Sequence, residues 1–126
     1  MLVLDSGGLS RLAVRDRATA ALLLALRRRG LWPPIVPTVV LAESLTGSAQ
    51  RDATTNRLLK ACDVQASVPE RLARRAAELR TLARRGSAVD ALVVALAEHG
   101  GTVLTGDAED LRALAANAVG VSVEVV

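Results

Sequence analysis

The chain has 126 residues, 51% hydrophobic and 23% charged, with a formal net charge of +3. That length supports one domain, 1–126, able to bury roughly two thirds of its unfolded surface, and the composition excludes a disordered chain. No apolar run reaches the roughly 20 residues a membrane-spanning helix needs, and the N-terminus meets Asp5 too early for a secretory signal, so no membrane association is expected.

The single cysteine, Cys62, cannot close an internal disulfide, which fits a reducing, cytoplasmic setting. Lys60 is the only lysine; every other basic residue is arginine, whose planar guanidinium suits bidentate phosphate contacts.

In chain order, strands and helices alternate. Residues 1–5 read as a buried strand, and Asp5-Ser6 can cap a turn after it. Residues 16–29 form a helix with apolar residues at helical spacing. Its terminal Arg27-Arg28-Arg29 complements the helix dipole before Gly30. Pro33-Pro34 forces an extended entry into the strand Ile35-Val36-Pro37. Thr38 can cap a helix carrying Glu43, which stops near Thr46-Gly47-Ser48. A short helix over 51–61 and a strand over 63–67 follow. Pro69 opens a helix running to about Arg85. Gly86-Ser87 interrupts, 88–98 is helical again, and Gly100-Gly101 ends it. Thr102–Thr105 is a strand, 108–117 a helix and Val121–Val126 a last strand. Short apolar strands between helices predict an α/β fold: a three-layer α/β/α sandwich around a parallel sheet of about five strands.

Four acids interrupt or end these apolar segments. Asp5 closes the first strand and Asp107 follows the fourth. In open parallel sheets both positions face the crevice at the strands' carboxyl ends, provided the strands are neighbours. Glu43 follows Val39 and Val40 by one turn, and Asp90 precedes Val93, Val94 and Ala97 by the same spacing, so both are expected to point inward. Each has a simpler role open to it except Glu43, which stands mid-helix. Asp107 can cap helix 108–117, and Ser87-Ala88-Val89-Asp90 resembles a capping box.

Convergence would decide the chemistry. Two like charges about 4 Å apart repel by roughly 4 kcal/mol at an effective dielectric of 20. A hard divalent cation with oxygen ligands, Mg²⁺ or Mn²⁺, turns that repulsion into attraction. His99 and Cys62 are each isolated, and His99 reads as a helix-end residue. Such a site suits hydrolysis of a phosphodiester by water, and no residue has the setting of a covalent nucleophile. Ser6 and Thr105 are positioned to orient that water or a ligand carboxylate.

The pattern resembles a PIN domain, specifically the small VapC-type toxins of bacterial toxin–antitoxin pairs. The matching pieces are Met1-Leu2-Val3-Leu4-Asp5-Ser6, Pro37-Thr38-Val39-Val40-Leu41-Ala42-Glu43, Val89-Asp90-Ala91-Leu92-Val93-Val94-Ala95-Leu96-Ala97, and Val103-Leu104-Thr105-Gly106-Asp107 with Asp110 beyond. They span nearly the whole chain. The resemblance implies a five-stranded parallel sheet and a Mg²⁺ or Mn²⁺ site made by Asp5, Glu43, Asp90 and Asp107. It also implies ribonuclease activity on structured RNA, a homodimer, and a VapB-like antitoxin that covers the site. Gly7-Gly8 departs from the family's usual second hydroxyl residue and alanine.

Other acidic α/β folds fit less well. An aspartyl-phosphate phosphatase would want an acid where Gly7 stands, a phospho-receiver domain would want a lysine after a late strand, and no nucleotide-binding glycine motif is present. With Trp32 the sole aromatic, RNA recognition would rest on arginines and shape rather than on stacking. Arg74, Arg75, Arg80, Arg84 and Arg85 share one long helix; they read either as phosphate contacts or as a solvated face paired through Glu78. The alternative to an enzyme is a catalytically inactive module of the same fold that binds a protein or nucleic-acid partner.

Overall fold

The computed structural model describes residues 1–126 and is organised around one fully buried strand. β1 (Leu2–Leu4) holds three apolar residues, none more than 1% exposed. A strand apolar on both faces is stable only mid-sheet, with helices above and below. β2 (Ile35–Pro37), β3 (Asp63–Gln65), β4 (Thr102–Thr105) and β5 (Ser122–Val125) complete a parallel sheet in the order β3-β2-β1-β4-β5. The register pairs Leu4 with Leu104 and Val3 with Ile35.

The helices are α1 (Ser6–Ala13), α2 (Arg17–Arg28), α3 (Thr38–Ser44), α4 (Ala53–Leu59), α5 (Glu70–Ala83), α6 (Ala88–Ala97) and α7 (Glu109–Ala115). α1 packs with α2, α3 and α4, and α6 packs with α5 and α7, giving the expected three layers. α6 is apolar nearly all round because it packs on β1, β4 and both neighbouring helices: Ala91, Val93, Val94, Ala95 and Ala97 are all buried.

α1 is the element the sequence hid, since two glycines in its first turn each cost about 1 kcal/mol of helix propensity relative to alanine. Packing overrides that cost. A Cβ on Gly8 would lie 2.1 Å from the Leu104 carbonyl oxygen, and one on Gly7 would lie 2.7 Å from the Gly106 nitrogen. The glycine pair lets the start of α1 lie against β4 and the turn after it.

Smaller differences lie at helix ends. Pro37, not Thr38, occupies the cap position of α3, and the Thr38 hydroxyl donates instead to the Ala66 carbonyl at 3.4 Å. Pro69 is likewise the cap of α5, which ends at Ala83 with Arg84 left-handed at φ 55°. Ala108, not Asp107, caps α7.

Arg75 on α5 and Arg85 just past its end hold neighbouring elements together. Arg75 makes a two-pronged pair with Glu98 at 2.7 and 3.0 Å and a further bond to Glu78, while Arg85 bridges to Glu109 and Asp110. Arg74 pairs with Glu70 along the helix. The Glu98 side chain is only 6% exposed, and Arg75 holds its carboxyl below the ordinary carboxylate range. Arg75→Ala would leave it with the Val119 N–H as its one remaining hydrogen-bond donor. We expect a loss of about 2 kcal/mol, seen as a lower urea midpoint at neutral pH. Because Glu98 is depressed in the folded state, the difference from wild type should vanish as pH falls through its folded value.

Candidate metal and active site

The chain runs outward from β1 to β3 and then returns to the other side of β1 with β4, so the strand order reverses between β1 and β4. Asp5 follows β1 directly, and Asp107 lies two residues beyond the end of β4. Two carboxylates from distant parts of the chain thus reach the carboxyl-end crevice of adjacent strands.

Asp5 is the most constrained of the four. It is 8% exposed and caps α1, with Oδ1 accepting from the Gly8 N–H at 2.7 Å. Oδ2 accepts from the Thr105 hydroxyl. The same Thr105 oxygen accepts from the Asp107 N–H at 3.1 Å and lies 3.0 Å from the Asp107 carbonyl. Thr105, itself 1% exposed, therefore ties the two strand ends together. Burial pushes the Asp5 carboxyl up and the charge of Asp90 adds to that push, against the opposing hydrogen bonds from Thr105, Gly8 and Gly7. Asp90 thus acts on Asp5 electrostatically, although it belongs to a helix 85 residues away in sequence.

Asp90 is half-buried in the first turn of α6 and forms the expected capping box. Its N–H donates to Ser87 Oγ at 3.0 Å, and its Oδ2 accepts from the Ser87 N–H at 3.1 Å. Asp107 is exposed, its Oδ1 accepting from the Glu109 N–H at 3.2 Å. Glu43 corrects the expectation of an inward carboxylate. The buried stripe of α3 runs through Val40 and, one turn on, the half-buried Ser44, leaving Glu43 beside that stripe and exposed. Of the supporting residues, Ser6 opens α1 half-buried, and Asp110 is taken up by its 2.8 Å ion pair with Arg85.

The four carboxylates do not stand as a closed coordination shell: no three acidic, histidine or cysteine side chains are grouped tightly enough to hold an ion as placed. Their chemistry still suits a hard cation. All donors are oxygens, and none of Asp5, Glu43, Asp90 or Asp107 has an arginine or lysine partner, whereas six of the other acids do. Asp90 and Asp107 each keep one carboxylate oxygen free of backbone bonds. Two features escaped the sequence. Ser44 Oγ, next to Glu43, is buried without a hydrogen-bond partner, and nothing in the sequence marks it. Gly8 carries a donor for Asp5, a role that the Gly7-Gly8 departure signalled without explaining.

The model of the PIN domain matches residues 2–117. Among solved structures, FitAcB from Neisseria gonorrhoeae aligns with a TM-score of 0.65 at 20% identity, covering 97% of this chain and 96% of that one, a likeness of fold. No curated protein matches the chain. The helices include none long and apolar enough to cross a membrane. With the family model matching nearly the whole chain, the protein belongs to the PIN domain family, whose members are generally nucleases working with divalent metal ions.

Proposed function

We propose that this chain is a Mg²⁺- or Mn²⁺-dependent endoribonuclease that serves as the VapC-type toxin of a toxin–antitoxin pair, held in check by a cognate antitoxin and active as a homodimer in the cytoplasm. The observation that carries the proposal is the state of Asp5. It is a buried carboxylate, its pKa raised by burial and further by the charge of Asp90, and it lacks any cationic side chain to balance it. A site built this way gains most from a bound cation.

Asp5, Asp90 and Asp107 would hold the ion, with Asp90 and Asp107 using the oxygens their backbone bonds leave free. When bound, Mg²⁺ or Mn²⁺ supplies an acidified water and a counter-charge for the phosphate. Thr105 fixes the Asp5 carboxylate and, through Asp107, the spacing between the two strand ends. Glu43, exposed at the edge of α3 and unpaired, is free to orient the attacking water and accept its proton. Ser6, half-buried beside Asp5 in the chain, is available to position that water.

One observation favours the inactive-module reading: Asp90 is used in a capping box and Asp107 accepts from the Glu109 N–H, so both already serve local backbone bonds. Metal titration separates the two. At about 100 times its dissociation constant, Mn²⁺ should stabilise the wild type by about 2.7 kcal/mol, read as a rise in Tm. Asp90→Asn should remove that gain. An unchanged wild-type Tm at saturating Mn²⁺ would favour the inactive module.

Thr105→Val keeps the side-chain shape but removes the hydroxyl. A ligand loses about 10- to 100-fold in metal affinity or activity when such an outer hydrogen bond is deleted. A comparable drop in kcat is expected here, with a stability loss of about 1–3 kcal/mol for the unsatisfied Asp5 oxygen. Retention of full activity would mean Thr105 does not position the site.

A further inference from the structure

We infer that the face made by α1, α2 and α4 is the docking surface for the phosphate backbone of the substrate; the inference rests on the ribonuclease reading above. The basic charge of the chain is unevenly divided. Residues 1–62 carry nine basic and four acidic residues, whereas residues 63–126 carry seven basic and nine acidic ones. The ion pairs deepen the contrast. Of the five arginines that sequence offered as phosphate contacts, Arg74, Arg75 and Arg85 are paired with Glu70, Glu98, Glu109 and Asp110, while Arg80 and Arg84 are exposed and pair with no acid. Arg15, Arg17, Arg51 and Arg57 are exposed and take part in no ion pair.

Three of these four border one groove. Arg15, Arg17, Arg27 and Arg57 line a groove of about 620 Å³ whose wall includes Trp32, with the Arg27 guanidinium 5.0 Å over the indole ring. The groove connects to the candidate site through α1. That helix is capped by Asp5 at one end, packs against α3 and α4, and runs into the Val14-Arg15-Asp16 turn at the other. Eight helical residues span roughly 12 Å, a distance a single strand covers in a few nucleotides. Two acids lie on this face: Asp16 lines the groove and caps α2 through the Thr19 N–H, a bond that leaves its charge in place, and Asp52 is buried under the Thr46 and Gly47 N–H groups. The groove thus presents four guanidiniums against the one Asp16 carboxylate, among apolar residues that include Leu12, Leu23 and Leu58, and this excess of positive charge favours a polyanion.

The test uses the Asp5→Asn chain, so that RNA is not consumed, and a fluorescently labelled RNA hairpin as probe. Arg15→Gln, Arg17→Gln and Arg57→Gln combined should raise Kd at least tenfold at 0.1 M salt. Every phosphate that is no longer neutralised should flatten the log–log salt slope by about 0.7–0.9, so the slope should fall by about 2. The control combination Arg74→Gln, Arg80→Gln and Arg84→Gln on α5 should change Kd less than twofold. Hairpin addition to the unsubstituted groove should also shift Trp32 fluorescence, reversibly with salt, which keeps the inference testable if the triple variant folds poorly. An unchanged salt slope, or an equal weakening in the α5 control, would overturn the inference and leave this face to an acidic protein segment. Failure of the wild type to cut RNA with Mn²⁺ while the slope still falls would overturn the nuclease reading instead.

Discussion

Asp5→Asn should stop RNA cleavage, by about a hundredfold or more, while leaving the metal-free protein at least as stable as the wild type. The first half follows from ligand chemistry: an amide binds a hard cation far less well than a carboxylate, and even outer hydrogen bonds to ligands are worth about 10- to 100-fold. The second half follows from the surroundings. The amide oxygen can keep the Gly8 N–H bond, and the amide nitrogen can donate to Thr105 Oγ, whose own proton then turns to the Asp107 carbonyl 3.0 Å away. Both existing hydrogen bonds survive the exchange, only the second amide N–H lacks a protein acceptor, and the desolvation of a charge is removed. The pH dependence has a definite sign. Burial, then the Asp90 charge, raise the Asp5 carboxyl above its ordinary value of 3.8. A carboxyl raised in the folded state contributes most at low pH, and that contribution declines as pH climbs through the raised value. The metal-free Asn variant should therefore gain on the wild type between acid and neutral pH, measured as the difference in Tm across that range. A variant that cuts RNA as fast as the wild type would remove Asp5 from the site.

Gly8→Ala should be the most damaging small substitution in the chain. Its Cβ would sit 2.1 Å from the Leu104 oxygen and 2.8 Å from the Leu104 carbonyl carbon, and both are backbone atoms of a buried strand. No side chain can rotate away, so α1 must lift from β4 or the strand must bend. Overpacking a well-filled interior costs about 1–3 kcal/mol and occasionally more; with backbone on both sides the upper end, about 3 kcal/mol, is expected. The gain of about 1 kcal/mol in helix propensity offsets only part of that loss. Moving α1 also shifts the Gly8 N–H away from Asp5, so activity should fall together with stability. A variant as stable as the wild type in urea, with unchanged cleavage, would show that α1 is not held against β4 as described. Gly30→Ala supplies the contrast: nothing lies within 4 Å of its added Cβ, and the strain there comes from a φ of 72° alone.

The ribonuclease and the docking face lead to a consistent division of labour. In the C-terminal half, where acids outnumber basic residues nine to seven, Arg75 and Arg85 pair with Glu98, Glu109 and Asp110 and tie α5 and the turn after it to the ends of α6 and α7, while Arg71, Arg80, Arg84 and Arg112 pair with none. In the N-terminal half Arg29 pairs with Glu124, and Arg15, Arg17, Arg27 and Arg57, which pair with no acid, line the groove with Asp16 as its one carboxylate. A surface charge that only kept the protein soluble would not need this segregation; a chain that must hold a polyanion beside an acidic centre does.

Much of this molecule was legible in its residues. The strand–helix alternation, the two-faced apolar runs of β1 and α6, and the Ser87–Asp90 capping box all follow from local patterns, because burial and capping write themselves into periodicity and spacing. So does the list of four uncompensated acids. Three things were decided only by folding. α1 exists despite its glycines because a close approach to β4 outweighs propensity. Glu43 is exposed because the buried stripe of a two-turn helix is set by what it packs on, and Val40 and Ser44 take that side. Arg75 and Arg85 are paired because Glu98, Glu109 and Asp110 come to them from distant segments, and no local pattern records such partners. Sequence could name the residues able to bear charge. Which charges are neutralised and which remain available to a ligand depended on neighbours that only the third dimension supplies.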